Sequence, residues 1–221
     1  MRGKPPVPID PAELIQRLRG VPARAVALRA ERKRISREVA ACDRGAVLRL
    51  AHQLMAAGIA RFVAYELILN HKQAMESITQ REVEKLGEGI GHWGDVDSFA
   101  CLVAGPAWRS GCLPDRLIHT WTRSEDWCWR RAALVSTVPL NSRAQGGSGD
   151  TNRTLIVCRM LAGDREDLVV KALSWALREL AKRDPDGVRR FLADHQENLA
   201  ARVIREVTNK LTSGRKNPRV S

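Results

Sequence analysis

The sequence predicts an all-α fold, an α-α superhelix in which antiparallel helix pairs stack along the chain. Apolar residues recur at helical spacing through most of the 221 residues. Helix-capping residues precede these apolar stretches, and the strict alternation that marks β-strands is nearly absent. Together these observations predict about a dozen helices joined by short loops.

Four capping patterns indicate where helices begin. Asp10-Pro11-Ala12-Glu13 places an N-cap acid before a proline at the first helical position. Thr79, followed by Glu82 three residues later, forms a second capping box. Asp164 precedes acidic residues that suit the positive end of a helix dipole, and Asp184 precedes another proline. Helices are therefore expected directly after these four caps.

Apolar stripes define the buried faces of the predicted helices. Residues 47–55 and 59–68 each carry one stripe at helical spacing. The segment 168–180 has a wider apolar face, which is typical of a helix packed on two sides. Glycine and proline breaks separate the helices, at residues 20–22, 58, 87–89, 105–106 and 111–114.

The helices pair at a period of about 35–40 residues, which is typical of a HEAT-like solenoid. Self-similarity between the pairs is weak, so a compact helical bundle is the structural alternative. We expect a single HEAT-like repeat domain over residues 1–211 and a disordered, basic tail over residues 212–221. The glycine-rich segment 141–150 is expected to be a long, flexible loop inside the domain.

The net charge of +12 is concentrated at the two ends of the chain. Residues 1–40 hold ten Lys or Arg against four Asp or Glu, and residues 201–221 hold six against one. The intervening residues 41–200 hold 21 against 20. This distribution suits a chain whose terminal segments bind a polyanion while its middle does something else. The alternative is that the terminal charges only keep the protein soluble.

Composition and motifs exclude several classes of protein. No apolar run approaches the roughly 18 residues that a membrane span needs, and Met1–Pro6 lacks the apolar run of a secretory leader. Five widely spaced cysteines contain no CxxC pair, so we expect a reducing cytoplasm rather than disulfides or a zinc site. The five histidines are isolated, and no P-loop or Rossmann motif occurs. No metal or nucleotide cofactor is therefore expected.

Six of the ten aromatic residues are tryptophans, and several of them lie near charged residues in the sequence. Trp93 and Asp97 are four residues apart, hence neighbours on one helix face. Trp127 and Arg131 repeat that spacing. Arg131 also enters an apolar run, where an arginine needs a carboxylate or an anionic ligand.

A third tryptophan, Trp175, lies between Lys171 and Arg178, about one helical turn from each. Each of these segments also has a purely structural interpretation. Asp95 would then be a helix cap, Arg131 would pair with a surface acid, and Trp175 would belong to the core. The three segments together are more specific than any one alone.

The combination resembles the DNA alkylation repair family, the AlkD-like HEAT-repeat DNA glycosylases. The matching segments, in chain order, are Trp93–Asp97, Trp129–Ala133 and Lys171–Leu180. The resemblance covers roughly residues 24–195 and is most specific in the last two-thirds. The aromatic-rich N-terminal segment usual in that family has no counterpart here, since Phe62 is the first Phe or Tyr.

The resemblance implies a monofunctional DNA glycosylase, a hydrolase that removes cationic N3- and N7-alkylated purines from duplex DNA. It implies Asp97 as the catalytic carboxylate and Trp93 and Trp175 as indoles flanking the sugar of the lesion. Arg131 would be the cation at a nearby backbone phosphate. The implied partner is duplex DNA containing alkylated bases, with no membrane and no obligate protein partner.

The chemistry of these residue types agrees with the implied roles. A cationic purine leaves without a general acid, but the developing oxocarbenium-like sugar needs negative charge nearby. Asp97 would supply that charge or orient the attacking water. Indole faces favour a cation by about 0.5–2 kcal/mol each, and arginine offers a planar fork to phosphate. Further candidates for phosphate contacts, which position the duplex without reading its sequence, are Arg130, Lys171 and Arg178.

Two other functions stay open at the level of the sequence. The first is a non-catalytic HEAT-repeat protein that binds branched or bent DNA. Its DNA affinity would fall steeply with salt and would be unchanged in the Asp97→Asn variant. The second is a protein–protein scaffold, a role open to any helical solenoid, which predicts no DNA binding at moderate salt.

Overall fold

The computed structural model describes residues 10–218, which form fifteen α-helices and no β-strand. The prediction of an all-α fold is confirmed over this part of the chain. Residues 1–9, for which we expected no secretory leader, and residues 219–221 of the predicted tail lie outside the described residues. The chain divides into two compact units, Met1–Glu88 and Gly89–Ser221. The single domain over residues 1–211 stays a prediction.

Helix-on-helix packing builds both units, as the prediction of an α-α superhelix requires. None of the helices in the described part of the chain is long and apolar enough to cross a membrane. Cys128 and Cys158 are buried free thiols.

The first unit contains six α-helices whose apolar stripes pack against one another. Asp10 caps the first helix by accepting the Ala12 N–H at 2.9 Å. Thr79 and Glu82 form the predicted capping box of the sixth. The helices are α1 (Pro11–Arg19), α2 (Ala25–Glu38), α3 (Arg44–Ala56), α4 (Arg61–Leu69), α5 (Lys72–Glu76) and α6 (Gln80–Gly87).

A buried carboxylate in the first unit is held by two arginines. Glu66 on α4 accepts the Nε–H of Arg29 at 2.7 Å on one oxygen and that of Arg32 at 2.9 Å on the other. The side chains of Glu66 and Arg32 are each only 9% exposed. Arg29 also lies over the ring of Phe62, with its guanidinium carbon 5.0 Å from the ring centroid. Both oxygens of this carboxylate are therefore occupied inside the unit.

The second unit contains nine α-helices. The tenth helix of the chain packs on the seventh and the thirteenth, and the thirteenth also packs on the fifteenth. The long thirteenth helix is apolar on two sides, as its wide apolar face predicted. The helices are α7 (Trp93–Phe99), α8 (Gly105–Arg109), α9 (Asp115–Trp121), α10 (Trp127–Val135), α11 (Val138–Asn141), α12 (Thr151–Met160), α13 (Asp167–Leu180), α14 (Pro185–Asp194) and α15 (Ala201–Ser213).

Two of the predicted caps in the second unit have different outcomes. Asp184 caps α14 as predicted, accepting the Gly187 N–H at 2.8 Å. Asp164 does not cap α13, because that helix begins at Asp167 and its N-cap is Glu166. The Asp164 carboxylate instead accepts the Glu166 N–H at 2.9 Å, one residue before the helix. The expected helix is present, but its start was placed too early.

The run from α7 to α8 is continuous, with a π-helix at Ala100–Ala104 between them. The break that we expected at Gly105-Pro106 is wrong. Pro106 lacks the N–H of a regular helical residue, and the π-turn, in which the Gly105 N–H donates to the Ala100 carbonyl, continues the helix around it. Gly105 has a packing role, since a Cβ there would lie 2.7 Å from the Ser136 carbonyl oxygen.

The segment 141–150 is held in place and is not the flexible linker that we expected. Arg109 donates to the carbonyl oxygen of Gln145 at 2.6 Å. Arg183 donates to the carbonyl oxygen of Gly147 at 2.5 Å. Glycine content predicted freedom of the backbone, but two arginines from other parts of the unit restrain it.

The described part of the predicted tail begins inside a helix. α15 continues to Ser213 and ends at Gly214, whose φ of 70° is left-handed. Beyond this turn, Lys216 reaches back to Glu206 on α15, with 3.3 Å between Nζ and Oε1. Asn209 also donates to the Lys216 carbonyl oxygen at 3.1 Å.

Candidate functional site

The helix α7 carries the first two predicted site residues on one face. His92 caps the helix by accepting the Gly94 N–H on Nδ1 at 3.1 Å. The Trp93 indole lies beside that imidazole, with 5.2 Å between the ring centroids, and is 50% exposed. Asp97 follows one turn later. The predicted helical proximity of Trp93 and Asp97 is confirmed, and the indole is accessible to a ligand.

The Asp97 carboxylate is clasped by Arg131 on α10. Arg131 donates from Nε to Oδ1 and from Nη2 to Oδ2, each at 2.8 Å. This is the bidentate geometry in which arginine binds a carboxylate most strongly. Arg131 is 7% exposed, whereas 18% of the Asp97 side chain stays open. Arg131 is therefore buried in its apolar surroundings and paired with Asp97, whereas one edge of the Asp97 carboxylate stays accessible.

Arg131 also joins this pair to α13. Its Nη1 donates to the carbonyl oxygen of Leu168 in the first turn of that helix. Leu168 and Trp175 are seven residues apart, which places them on one face of α13, about 10 Å apart along the axis. Trp175 is partly buried there. One guanidinium thus connects the helix of Trp93 and Asp97 with the helix of Trp175.

Cys101 is a site neighbour that the sequence analysis missed. It lies four residues beyond Asp97, inside the π-helix, and the Gln145 side chain lies near its thiol. Burial raises the pKa of the Cys101 thiol to about 12, and the Asp97 charge contributes to the rise. The thiol is therefore protonated at neutral pH and is not a nucleophile. Its spacing from Asp97 was visible in the sequence, but no charge or aromatic residue marked it.

Arg130, predicted as a phosphate contact, has three partners within the protein. Its Nε donates to Asp164 Oδ2 at 2.7 Å. Its Nη1 donates to the carbonyl oxygens of Ser124 and Glu125 at 3.0 and 2.8 Å. Most of its donor capacity is therefore used to hold the loop before α10.

Lys171 and Arg178, the other two predicted phosphate contacts, differ in exposure. Lys171 is exposed and pairs with Asp167 one turn earlier, at 2.6 Å between Nζ and Oδ2. Arg178 is largely buried and donates to Ser174 Oγ at 3.1 Å, close to Glu206. Burial lowers the pKa of the Arg178 guanidinium, although Glu206 opposes that effect. Lys171 is thus the more available of the two cations.

The structure brings Trp93, Asp97 and Arg131 together and links them to Trp175 through α13. The accessible chemical groups of this candidate site are one carboxylate edge and one open indole. Among residues 10–218 no cluster of three His, Cys, Asp or Glu side chains is arranged to hold a metal ion. The arrangement suits a cationic or electron-poor ligand.

Comparison with known proteins gives one family match. The family described as DNA alkylation repair enzyme matches residues 17–211, which includes every residue of the candidate site. No curated protein matches the chain at a significant level.

Proposed function

Because the chain belongs to the family of DNA alkylation repair enzymes, we propose that it is a DNA glycosylase that excises cationic N3- and N7-alkylated purines from duplex DNA. The observation that carries the proposal is the Asp97 carboxylate. Arg131 fixes it through both oxygens, yet it is 18% exposed beside the open indole of Trp93. A fixed, ionised group with one open edge is suited to stabilising positive charge on a bound substrate.

The catalytic role of Asp97 follows from the electron demand of the reaction. The glycosidic bond of a cationic purine breaks to give a neutral base and an oxocarbenium-like sugar. An ionised carboxylate has about four lone-pair sites, and Arg131 uses two of them. The remaining sites stabilise the sugar cation or accept a proton from the attacking water.

Arg131 is better suited to positioning Asp97 than to binding a phosphate. Three of its five N–H groups are already used, two on Asp97 and one on Leu168. If the Arg131 guanidinium left this pair to bind a phosphate, the mostly buried Asp97 carboxylate would lose its partner, at a cost in free energy. We therefore revise the role implied by family resemblance and assign Arg131 to holding the carboxylate in one orientation.

The two tryptophans complete the proposed site. Indole faces attract a cation through their quadrupole, by about 0.5–2 kcal/mol each. Trp93 is already exposed, and Trp175 is partly buried on the helix that Arg131 ties to Asp97. Together they favour the sugar cation over its neutral ground state.

The test is release of free base from methylated duplex DNA. We expect release by the wild-type protein and a rate about 10²–10³-fold lower for Asp97→Asn, as for loss of one preorganised electrostatic group. The matched control is Asp164→Asn, which removes the carboxylate paired with the adjacent Arg130. Its release rate per folded molecule should match wild type. No release by wild type, or equal release by Asp97→Asn, would contradict the proposal.

A second candidate is a protein that holds damaged or bent DNA without cleaving it. The specific observation in its favour is the ion pair itself, since Arg131 neutralises most of the Asp97 charge at short range. This alternative predicts duplex binding that is unchanged by Asp97→Asn and no base release by any variant. The same methylated-DNA assay therefore separates the two.

A further inference from the structure

The candidate site has few cations left to bind the duplex it would act on. Arg130 and Arg131 are paired with Asp164 and Asp97, and Arg178 is largely buried. Lys171 alone of the predicted contacts is exposed. Since phosphate contacts supply much of the affinity of DNA-binding proteins, another cation near Asp97 is needed.

The loop between α11 and α12 reaches the candidate site. The Gln145 side chain lies near the Cys101 thiol, one helical turn from Asp97. The Gln145 carbonyl oxygen accepts a hydrogen bond from Arg109 at 2.6 Å, and Arg109 lies on α8, which continues the helical run of α7. Gln145 belongs to a short 3-10 turn, Arg143–Gln145, at the tip of this loop. The loop tip is therefore adjacent to the helix that carries the carboxylate.

The loop is built to hold its tip in one place. Gly147 lies against α11 so closely that a Cβ would be 2.5 Å from the Pro139 carbonyl oxygen. Gly146 and Gly149 have φ of 80° and 109°, which other residues rarely adopt. Arg109 donates to the carbonyl oxygen of Gln145 at 2.6 Å. The glycines here serve a defined backbone path, so the tip is preorganised.

Arg143 is the cation that this loop presents. It is exposed at the start of the 3-10 turn. Within residues 10–218 no carboxylate lies at ion-pair distance from its guanidinium, in contrast to Arg130 and Arg131. An arginine that stands on a preorganised backbone and has an unpaired charge retains its capacity to bind a phosphate.

We propose that the loop 142–149 is a duplex-contacting part of the site, in which Arg143 binds a backbone phosphate next to the nucleotide that faces Asp97. This inference rests on the proposed action on duplex DNA. It adds a residue that neither the sequence motifs nor the family match assigns. The loop would anchor the strand while the carboxylate and indoles act on the sugar.

The experiment measures binding of the full chain to an undamaged, fluorescently labelled duplex over a range of salt concentrations. Arg143→Ala should weaken binding about three- to tenfold and reduce the slope of log K against log salt by about one. Arg143→Lys, which keeps a charge, should restore most of the slope. The control is Arg116→Ala, an exposed arginine on α9, which should change neither quantity by as much.

Each outcome bears on the loop separately from the chemistry. Equal effects of Arg143→Ala and Arg116→Ala, or no duplex binding by wild type, would overturn the assignment of Arg143. A selective effect of Arg143→Ala on binding supports it even if no base is released, in which case excision fails and the loop contact stands. If base is released but Arg143→Ala has no selective effect on binding, the proposed excision is supported and the proposed phosphate contact of Arg143 is contradicted.

Discussion

Each of the two units contains an ion pair between a carboxylate and an arginine that is 34 residues away in sequence. The two pairs differ in how much of the carboxylate stays accessible to solvent. In the first unit, Glu66 gives one oxygen to Arg29 and the other to Arg32. In the second, Asp97 gives both oxygens to Arg131 alone. The Glu66 side chain is 9% exposed and that of Asp97 is 18% exposed.

This difference separates a structural ion pair from a candidate catalytic one. Two arginines approach Glu66 from different positions on α2, and its surroundings are closed. One arginine approaches Asp97 along a single edge, and the exposed indole of Trp93 lies one turn before it. Burial of a charge pair alone does not mark a functional site, so the accessible edge of Asp97 beside the open ring of Trp93 is what makes this pair the candidate.

The largest expected effect on stability is that of Glu66→Gln. Removing the charge leaves the buried Arg32 guanidinium without its partner, so the free energy of unfolding should fall by about 3–5 kcal/mol. Urea denaturation measures this loss. Glu13→Gln, an exposed acid on α1, is the control and should stay within about 0.5 kcal/mol of wild type.

Measuring base release tests whether Glu66, unlike Asp97, has no role in the reaction. Base release per folded molecule should be the same for Glu66→Gln and wild type, because this carboxylate faces no substrate. If Glu66→Gln lowered the release rate as far as Asp97→Asn does, the distinction between the two pairs would be lost.

Arg131→Lys should have an intermediate effect on stability. A lysine keeps the charge but replaces the bidentate fork by a single contact, so we expect a loss of about 1–2 kcal/mol. Base release should also fall, since the carboxylate is no longer held in one orientation. Arg32→Lys is the matched change in the first unit and should lower stability without changing the release rate per folded molecule. Equal release rates for both lysine variants would argue against a positioning role for Arg131.

The pH dependence of stability should separate a buried acid from an exposed one. Burial alone raises the pKa of Glu206, but the Ser174 hydroxyl and the Lys216 ammonium hold it below its ordinary value. The Arg17 hydrogen bond lowers the pKa of Glu38 in the first unit. Both acids therefore add stability above the unfolded pKa of about 4.3, and this stability is lost as the pH falls through the folded pKa.

Two glutamine variants test this acid dependence. Glu206→Gln and Glu38→Gln should each make the loss of stability below about pH 4.3 shallower in urea titrations. The Glu206 side chain is 5% exposed and that of Glu38 is 41% exposed. Added salt should therefore shrink the effect of Glu38→Gln more than that of Glu206→Gln. Equal salt sensitivity would show that burial does not distinguish the two groups.

The smallest expected change in stability is that of Trp93→Ala. Half of this indole is already in water, so the free energy of unfolding should change by no more than about 0.5 kcal/mol. Trp108, which is fully buried, is the control, and its replacement by alanine should cost about 3–5 kcal/mol. Base release should nevertheless fall by up to roughly 30-fold in Trp93→Ala, the equivalent of about 2 kcal/mol. Unchanged release would remove Trp93 from the site.

Local features of the fold were predictable from the sequence because they depend on near neighbours. Asp10 and Thr79 cap their helices through hydrogen bonds within three residues. The spacing of Trp93 and Asp97 likewise fixed their common face once α7 formed. In each example the side chain and its partner lie within one helical turn.

Features that depend on distant partners were not predictable. Asp164 was expected to cap α13, but the helix starts later and Arg130, 34 residues away, takes one of its oxygens. The expected break at Gly105 is absent because the π-turn continues the helix and the glycine packs near Ser136. Such contacts are set by tertiary packing, which overrides local preference.

The candidate site shows the same division. The sequence indicated that Arg131 needs an acid or an anion, because it lies in an apolar run. It did not identify Asp97 as that acid, since no local pattern joins residues 34 apart. The approach of Gln145 to Cys101 was also invisible, because glycine content alone suggested a loop without fixed contacts.

The π-helix at Ala100–Ala104 has a consequence for the angular setting of α7. A π-turn accommodates one residue more than an α-turn, and each residue of an α-helix rotates the chain by about 100°. With Gly105 fixed against α11, losing one residue from this turn would swing Asp97 about that far around the helix axis, away from Arg131. The direction in which the Asp97 carboxylate points therefore depends on the length of the π-helix, which contains none of the proposed catalytic residues.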